Sequence, residues 1–344
     1  MNGLRSIYPY LFAALLIATS GHNSARGGTR LEDPSYAWHS PLATRSLLLA
    51  IGKSDRIVAV GERGHILYRQ GAGEWRQAQV PTRILLTGLS FSDDRHGFAV
   101  GHDALILATL DGGQTWRKVH EAIEEERPLL DIRFRDNRFG IAVGAYGYLL
   151  KTKDGGANWY SSLVDKENDF HLNAIAITPD GRIYLAAEAG YVYRSDDEGD
   201  SWRILSPPYD GSFFGIYPTE GDKVMVFGLR GHLFVSEDAG EHWRSLDTGT
   251  RATLTSAIGL GNGQFLLTGH GGTLLLVDSH LQQVRHARLP ERKAFSDAME
   301  IASNRVLLVG EEGTRTLDLC DVFSRDVLSG CEIIPSLFLP DETE

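Results

Sequence analysis

Sulfur is scarce in this protein: of 344 residues, two are cysteine and three are methionine. Cys320 and Cys331 are too far apart for a C-x-x-C pair, and no H-E-x-x-H or comparable ligand spacing occurs, so no metal site is expected. A single cysteine pair does not make a disulfide scaffold, although an oxidising compartment would allow these two to join. G-x-S-x-G, the P-loop and G-x-G-x-x-G in a strand-to-helix context are all missing, and no long helical segment is there to carry one. The sequence therefore lacks the usual devices for binding nucleotides or activating a serine, and no cofactor is expected. Positive charge is also in deficit. Lys+Arg number 34 against 45 Asp+Glu, a net charge of −11, which argues against bulk nucleic-acid binding.

Long apolar runs are absent beyond the first residues. Tyr10 to Ala18 is too short to span a bilayer comfortably, follows one arginine, and ends in Ala18-Thr19-Ser20 with small residues where a signal peptidase needs them. Residues 1–20 are read as an export signal, 21–34 as a loose leader, 35–320 as the folded body and 321–344 as an irregular tail with an apolar patch, Ile333 to Leu339. The expected location is the periplasm or an equivalent lumen.

What the sequence does have is repetition. The phrase TLDGGQTW (Thr109–Trp116) returns as TKDGGANW (Thr152–Trp159), SDDEGDSW (Ser195–Trp202) and SEDAGEHW (Ser236–Trp243), at intervals of 41 to 43 residues. That period is the size of one four-stranded propeller blade. Ser or Thr and Asp two residues apart can bond back to a tight turn, Gly two further on supplies positive φ, and Trp opens the next strand. Asp111, Asp154, Asp197 and Asp238, with Trp116, Trp159, Trp202 and Trp243, are accordingly read as architecture, since a carboxylate repeated at a regular interval braces turns far more often than it catalyses.

A second phrase sets the blade count. It reads VGERGHIL from Val60, VGHDALIL from Val100, VGAYGYLL from Val143, AAEAGYVY from Ala186, FGLRGHLF from Phe227, TGHGGTLL from Thr268 and VGEEGTRT from Val309. Each is strand, two-residue turn, strand. One apolar strand precedes each hairpin and a Trp strand follows it, so the order within a blade is innermost strand, hairpin pair, outermost strand. The seventh unit has no outer strand of its own. Tyr36 to Leu42, with Trp38, is the expected substitute: it would close the last blade and remove the open edges of a broken ring. The predicted fold is all-β, a monomeric seven-bladed β-propeller with Asp-box turns, its last blade closed by an N-terminal strand.

The bracing turns resemble the Asp-box, or BNR, motif of sialidases. The fuller pattern, G-x-x-G-x-[L/I] followed at fixed distance by T-x-D-G-G-x-x-W, more closely resembles the photosystem II stability and assembly factor family of exported seven-bladed propellers, over Trp38 to about Cys320. That resemblance implies a noncatalytic scaffold for a membrane protein or envelope complex, carrying an arginine-rich patch for its client. A glycan-binding or glycoside-hydrolysing propeller of the sialidase type is the alternative. It is weakened because Arg83-Ile84 is followed by Leu85 rather than proline, and because the count is seven blades, not six.

Strand order puts the bracing turns on one face, and the hairpin tips and blade-to-blade connections on the other, around the central opening. On that second face Arg45, Arg83, Arg127, Arg251 and Arg292 precede innermost strands, with His171 in the same place in the fourth unit, while hairpin tips add Arg63 and Arg230. A collar of guanidinium groups suits carboxylates and phosphates, hence an acidic segment, the free carboxyl end of a polypeptide or an anionic head group. His65, His102, His232 and His270 also lie at tips. For the glycan alternative, Tyr146, Tyr209 and Phe213 are candidate platforms. Asp131 and Asp297 are expected to share one position of their innermost strands near Arg133, as a structural ion pair.

Overall fold

The computed structural model describes residues 35–324 together with Leu328 and Cys331. The export signal, the leader and the Ile333–Leu339 patch lie outside the described residues. The protein forms seven antiparallel sheets in sequence order, six of four strands and the last of three among the described residues. Innermost strands run Leu48–Lys53, Leu86–Phe91, Leu129–Phe134, Leu172–Ile177, Phe213–Pro218, Leu254–Gly259 and Phe295–Ala302. Each packs beside the next, and the seventh packs beside the first, closing the ring.

The sequence builds blades because apolar residues on the two middle strands point both ways, toward the preceding and the following blade. Gly140–Gly144 and Ile183–Ala187, for instance, are buried along their whole length. One hydrophobic cluster fills each of the seven seams. Trp75, Trp116, Trp159, Trp202 and Trp243 each contribute to a different one, and Val284 takes the same place in the seam between blades five and six. Ring closure is apolar: Leu48, Ile51, Ala59 and Leu67 of the first blade meet Leu307 and Val309 of the seventh. Burial of such side chains, each contributing about 1.5–3 kcal/mol, is the main stabilising term.

Polar clasps on the innermost strands tie neighbouring blades. Thr87 donates to the Leu129 carbonyl (2.7 Å), Asn173 to Phe213 (2.8 Å) and Thr255 to Phe295 (2.7 Å). Asp131 accepts from the Ile175 amide (2.9 Å) and Asp297 from the Ile51 amide (3.1 Å), while the Tyr217 hydroxyl accepts from Gly259 (2.9 Å).

Among the described residues, Tyr36 to Leu42 does not close the seventh blade. Tyr36 to Leu42 forms no strand and lies along the outer side of the first blade, where the Ala37 amide donates to Val80 (2.9 Å), Gln77 bonds the Trp38 carbonyl (2.6 Å) and Arg83 bonds the Tyr36 carbonyl (2.8 Å). Trp38 is 58% exposed with Arg83 stacked on it at 4.3 Å, whereas Trp116 is 5% exposed. The physical reason is local: no S/T-x-D-x-G turn precedes Trp38, so nothing holds its ring beneath a bracing turn. Contact with the seventh blade is made just afterwards by the short 3-10 turn Ala43–Arg45, whose Thr44 carbonyl presses on Gly313 (φ 79°) so closely that any Cβ there would collide with it. The blade count and the assignment of loops to faces rest on the strand order within each sheet, and neither depends on the closing segment.

Candidate partner-binding face

The two faces of the ring are built differently. On the bracing face each turn is locked from inside. Thr109 Oγ1 donates to Asp111 Oδ1 (2.8 Å) and accepts from the Gly113 amide (3.0 Å), and the Thr115 amide (3.0 Å) and hydroxyl (2.6 Å) both donate to Asp111. Thr152–Asp154, Ser195–Asp197 and Ser236–Asp238 repeat this geometry. Gly113, Gly156, Gly199 and Gly240 all have positive φ, so the fifth place of the phrase is one that side chains disfavour. Donors converging on these carboxylates hold them low. The Ser201 hydroxyl is the largest influence on Asp197 and the His242 amide on Asp238, each held at about 2. At Asp111, burial works upward, and bonds from Thr115, Thr109 and Gln114 outweigh it.

Some cations on this face are laced to the next blade, while Lys53, Arg95, Arg138 and Arg305 are exposed there and form no ion pair within 4.0 Å among the described residues. Lys151 of the third blade donates to the Gly199 carbonyl and to Asp200 in the fourth (both 2.7 Å), Arg194 of the fourth reaches Ala239 in the fifth (3.2 Å), and Arg244 of the fifth reaches Leu281 in the sixth (2.8 Å). Arg135 pairs with Glu198 (2.8 Å) and Arg182 with Asp222 (2.7 Å). Sequence reasoning missed this lacing, because the partners lie 37 to 63 residues apart and only the ring brings them together.

The opposite face carries the hairpin tips, each hydrogen-bonded to the connection entering its own blade: Glu62 to Leu47, His102 to Leu85, Ala145 to Pro128, Leu229 to Ser212, His270 to Thr253 and Glu311 to Ala294, at 2.9–3.2 Å. These bonds bring the connection residues Arg45, Arg83, Arg127, Arg251 and Arg292 to the same face as Arg63 and Arg230. All seven arginines are exposed. Arg63 and Arg230 stand at left-handed positions (φ 57° and 56°) at the apex of their tips, where the side chain projects clear of the sheet.

Their charge is largely unpaired. Among the described residues Arg45, Arg83, Arg127, Arg230, Arg251 and Arg292 form no ion pair within 4.0 Å, and Arg63 has only a 3.9 Å contact with Glu62. Arg83 is nonetheless partly engaged by Tyr36 and Trp38, and Arg127 lies 5.5 Å over the Tyr148 ring. Five of the nearby acids are occupied elsewhere. Glu62, Glu188 and Glu311 each accept the backbone amide that leads into their own blade's innermost strand, Glu291 pairs with Arg315, and Glu312 with Lys293.

His171 differs from the arginines: it is half-buried, its Nδ1 lies 3.1 Å from Glu188, and Tyr146 packs edge-on against it. His65 is buried, with Ser46 Oγ 3.0 Å from its Nδ1, and burial pushes its pKa below the usual value.

The innermost strands line a central cavity of about 730 Å³ that contains Asp131, Arg133, Asn173 and Asp297 and extends to Arg135, Thr178 and Thr219 at the bracing-face ends of those strands. Arg133 contacts Asp131 at 3.0 Å. Desolvation is the dominant influence on both carboxyls and raises their pKa values, opposed in each by the Arg133 charge. Each carboxylate is committed to backbone: Asp131 to Ile132 and Ile175, Asp297 to Ile51 and Ala298, with Ser256 donating as well (2.6 Å). These are the bonds that knit the ring. Of the candidate sugar platforms, Phe213 is 0% exposed and Tyr209 lies stacked on His232 (4.0 Å), leaving Tyr146 at 54%.

A family model described as the photosynthesis system II assembly factor YCF48 matches residues 68–128 and 119–276. The chain belongs to this family. The photosystem II assembly lipoprotein Ycf48 of Prochlorococcus marinus strain MIT 9312 is 40% identical over 161 residues, 45% of this chain and 47% of that one. The photosystem II stability/assembly factor HCF136 of Cyanidioschyzon merolae is 36% identical over 91 residues, 26% of this chain and 20% of its own length. The match thus spans about half or less of these curated relatives. A solved YCF48 bound to a D1 peptide shares the fold, with a TM-score of 0.65 at 18% identity across 83% of this chain and 95% of the other. The YCF48 relationship accounts for both repeated phrases and for the ring they build.

Proposed function

We propose that this protein is a noncatalytic, exported assembly factor that holds an acidic or carboxyl-terminal segment of a membrane-protein client on its hairpin face. The observation that carries the reading is the set of exposed arginines gathered on the hairpin face. Arg135 and Arg182 on the bracing face are paired across seams, whereas the arginines around the central opening keep their guanidinium groups exposed on a protein that is acidic overall. Arginine offers a planar fork of donors, and bonds to a charged acceptor contribute about 1.5–3 kcal/mol each. Relatives named as photosystem II assembly factors, and a solved YCF48 carrying a D1 peptide, support a peptide client over a sugar. The committed state of Asp131 and Asp297 supports a scaffold over a glycosidase.

The test is peptide binding by fluorescence anisotropy, using a D1 carboxy-terminal peptide and its amidated form, with wild type and the double variant Arg230→Glu plus Arg251→Glu. These two arginines flank one tip, because Gly231 lies against the Thr250 carbonyl. The double variant is expected to bind at least tenfold more weakly, with unchanged thermal unfolding. Added salt should weaken wild-type binding. Equal binding by both proteins would remove the arginine collar from the proposal.

A further inference from the structure

Arg83 of the collar is engaged by the protein itself. Its Nε donates to the Tyr36 carbonyl at 2.8 Å, and its guanidinium lies 4.3 Å over the Trp38 ring. Both groups belong to residues 36–40, which form no strand of their own and are held against the first blade through their backbone. The Ala37 amide donates to the Val80 carbonyl (2.9 Å). The Gln77 side chain clamps the same stretch, accepting from the Ser40 amide at Oε1 (3.0 Å) and donating from Nε2 to the Trp38 carbonyl (2.6 Å).

An extended peptide is seated in this way: fixed polar groups take up its amides and carbonyls, and a ring packs on a cation. The seat belongs to the first blade, and its occupant is the stretch of chain that leads into that blade. Side chains anchor the occupant lightly. Ala37 is buried in the seam between the first and second blades, whereas Tyr36, Trp38 and His39 are exposed. Lifting residues 36–40 therefore uncovers little apolar surface. A carboxylate also offers Arg83 a better acceptor than the neutral Tyr36 carbonyl, because a hydrogen bond between charged groups is shorter and stronger.

We propose that Gln77, Val80 and Arg83 form a peptide subsite at the rim of the hairpin face, that residues 36–40 occupy it as a built-in competitor, and that the client peptide displaces them by bringing a carboxylate to Arg83. This rests on the reading of the hairpin face as the client site. It adds that the client gains Arg83 only when the segment leaves, so apparent affinity is reduced by the fraction of molecules in which Arg83 is covered. Loosening the segment then raises affinity even though it removes contacts from the protein. A segment that only supported the fold would not give that result.

Fluorescence anisotropy of a D1 carboxy-terminal peptide on the full-length protein tests this, with Trp38→Ala, Gln77→Ala, Arg83→Gln and the combination of Trp38→Ala with Arg83→Gln. Trp38→Ala and Gln77→Ala should each tighten binding at least about threefold by freeing Arg83. Arg83→Gln should weaken binding, and in its presence Trp38→Ala should change nothing further, because the group it uncovers is gone. If either Trp38→Ala or Gln77→Ala leaves binding unchanged or weaker, or if Trp38→Ala tightens it equally with and without Arg83, the segment is not a competitor. The variant Arg230→Glu plus Arg251→Glu separates this proposal from the reading it rests on. If that variant weakens binding while Trp38→Ala has no effect, the client site stands and the competitor falls. If it binds as wild type while Trp38→Ala tightens binding through Arg83, the competitor stands without the rest of the collar. Failure of wild type and Trp38→Ala alike to bind the peptide removes both.

Discussion

Ser195 is a 1%-exposed hydroxyl at the start of the fourth blade's bracing turn, and its removal tests whether that turn holds the ring or only decorates it. Its Oγ accepts from the Gly199 amide (2.8 Å) and donates to Asp197 Oδ1 (2.8 Å). The Gly199 carbonyl, in turn, accepts from Lys151 of the preceding blade (2.7 Å), so the turn is also a joint between blades. Ser195→Ala leaves the Gly199 amide without its acceptor, which costs about 1–3 kcal/mol for a buried donor, and also removes one bond to a carboxylate. A loss of about 2–3 kcal/mol is expected, read as a lower urea midpoint by far-UV circular dichroism, with Tm down by roughly 4–8 °C at the lower sensitivity of a protein this long. Ser195→Thr should fall within about 0.5 kcal/mol of wild type, because Thr109 and Thr152 occupy the same place in their own turns. Ser201→Ala, which removes an exposed hydroxyl bonded to Asp197, should cost less than Ser195→Ala. A change below about 0.5 kcal/mol for Ser195→Ala, or equal damage from Thr and Ala, would refute the reasoning.

Four further expectations can be checked by equilibrium unfolding. Phe213→Ala should cost about 3–5 kcal/mol because the ring is fully buried, whereas Tyr146→Ala, at an exposed apex, should change stability by about 0.5 kcal/mol or less. Replacing Cys320 and Cys331 by serine should cost about 2–3 kcal/mol from the loss of a short closed loop. Asp197 and Asp238 have folded pKa values depressed to about 2, so their contribution is present above the ordinary carboxylate value of about 4 and is lost as pH falls toward 2; Tm measured across that interval should drop, and less so in Asp197→Asn. Asp297 behaves oppositely. Its pKa is raised, chiefly by desolvation, so the stabilisation it gives is full below its ordinary value of 3.8 and is lost as pH rises through its folded value, a limb that Asp297→Asn should flatten.

The blade count, the strand order and the position of each bracing turn are legible in the sequence because they are written locally: a turn needs its hydroxyl, carboxylate and glycine within a few residues, and that need repeats at every blade. The arginines before Leu86–Phe91 and Leu254–Gly259 can be placed on a face for the same reason, since alternation of strand direction decides it. Closure of the last blade is not legible. Trp38 looks like a bracing tryptophan by residue type, but the turn that would bury it is absent and its ring lies on Arg83. His171 likewise shares a sequence position with the collar arginines, although Glu188 takes its ring nitrogen. Phe213 looks like a sugar platform and is core.

Periodicity by itself determined that this protein is a ring of seven β-blades and which loops share a face, because a strand of fixed direction and a turn of fixed chemistry leave the backbone no other course. Which charges remain free was decided only in three dimensions. Lys151, Arg182 and Arg194 find partners forty or more residues away on the neighbouring blade, and the collar arginines do not, a distinction that depends on distances across seams. Asp131 and Asp297 are tied to the next blade's backbone by the same closure, because only a closed ring sets one innermost strand against the next.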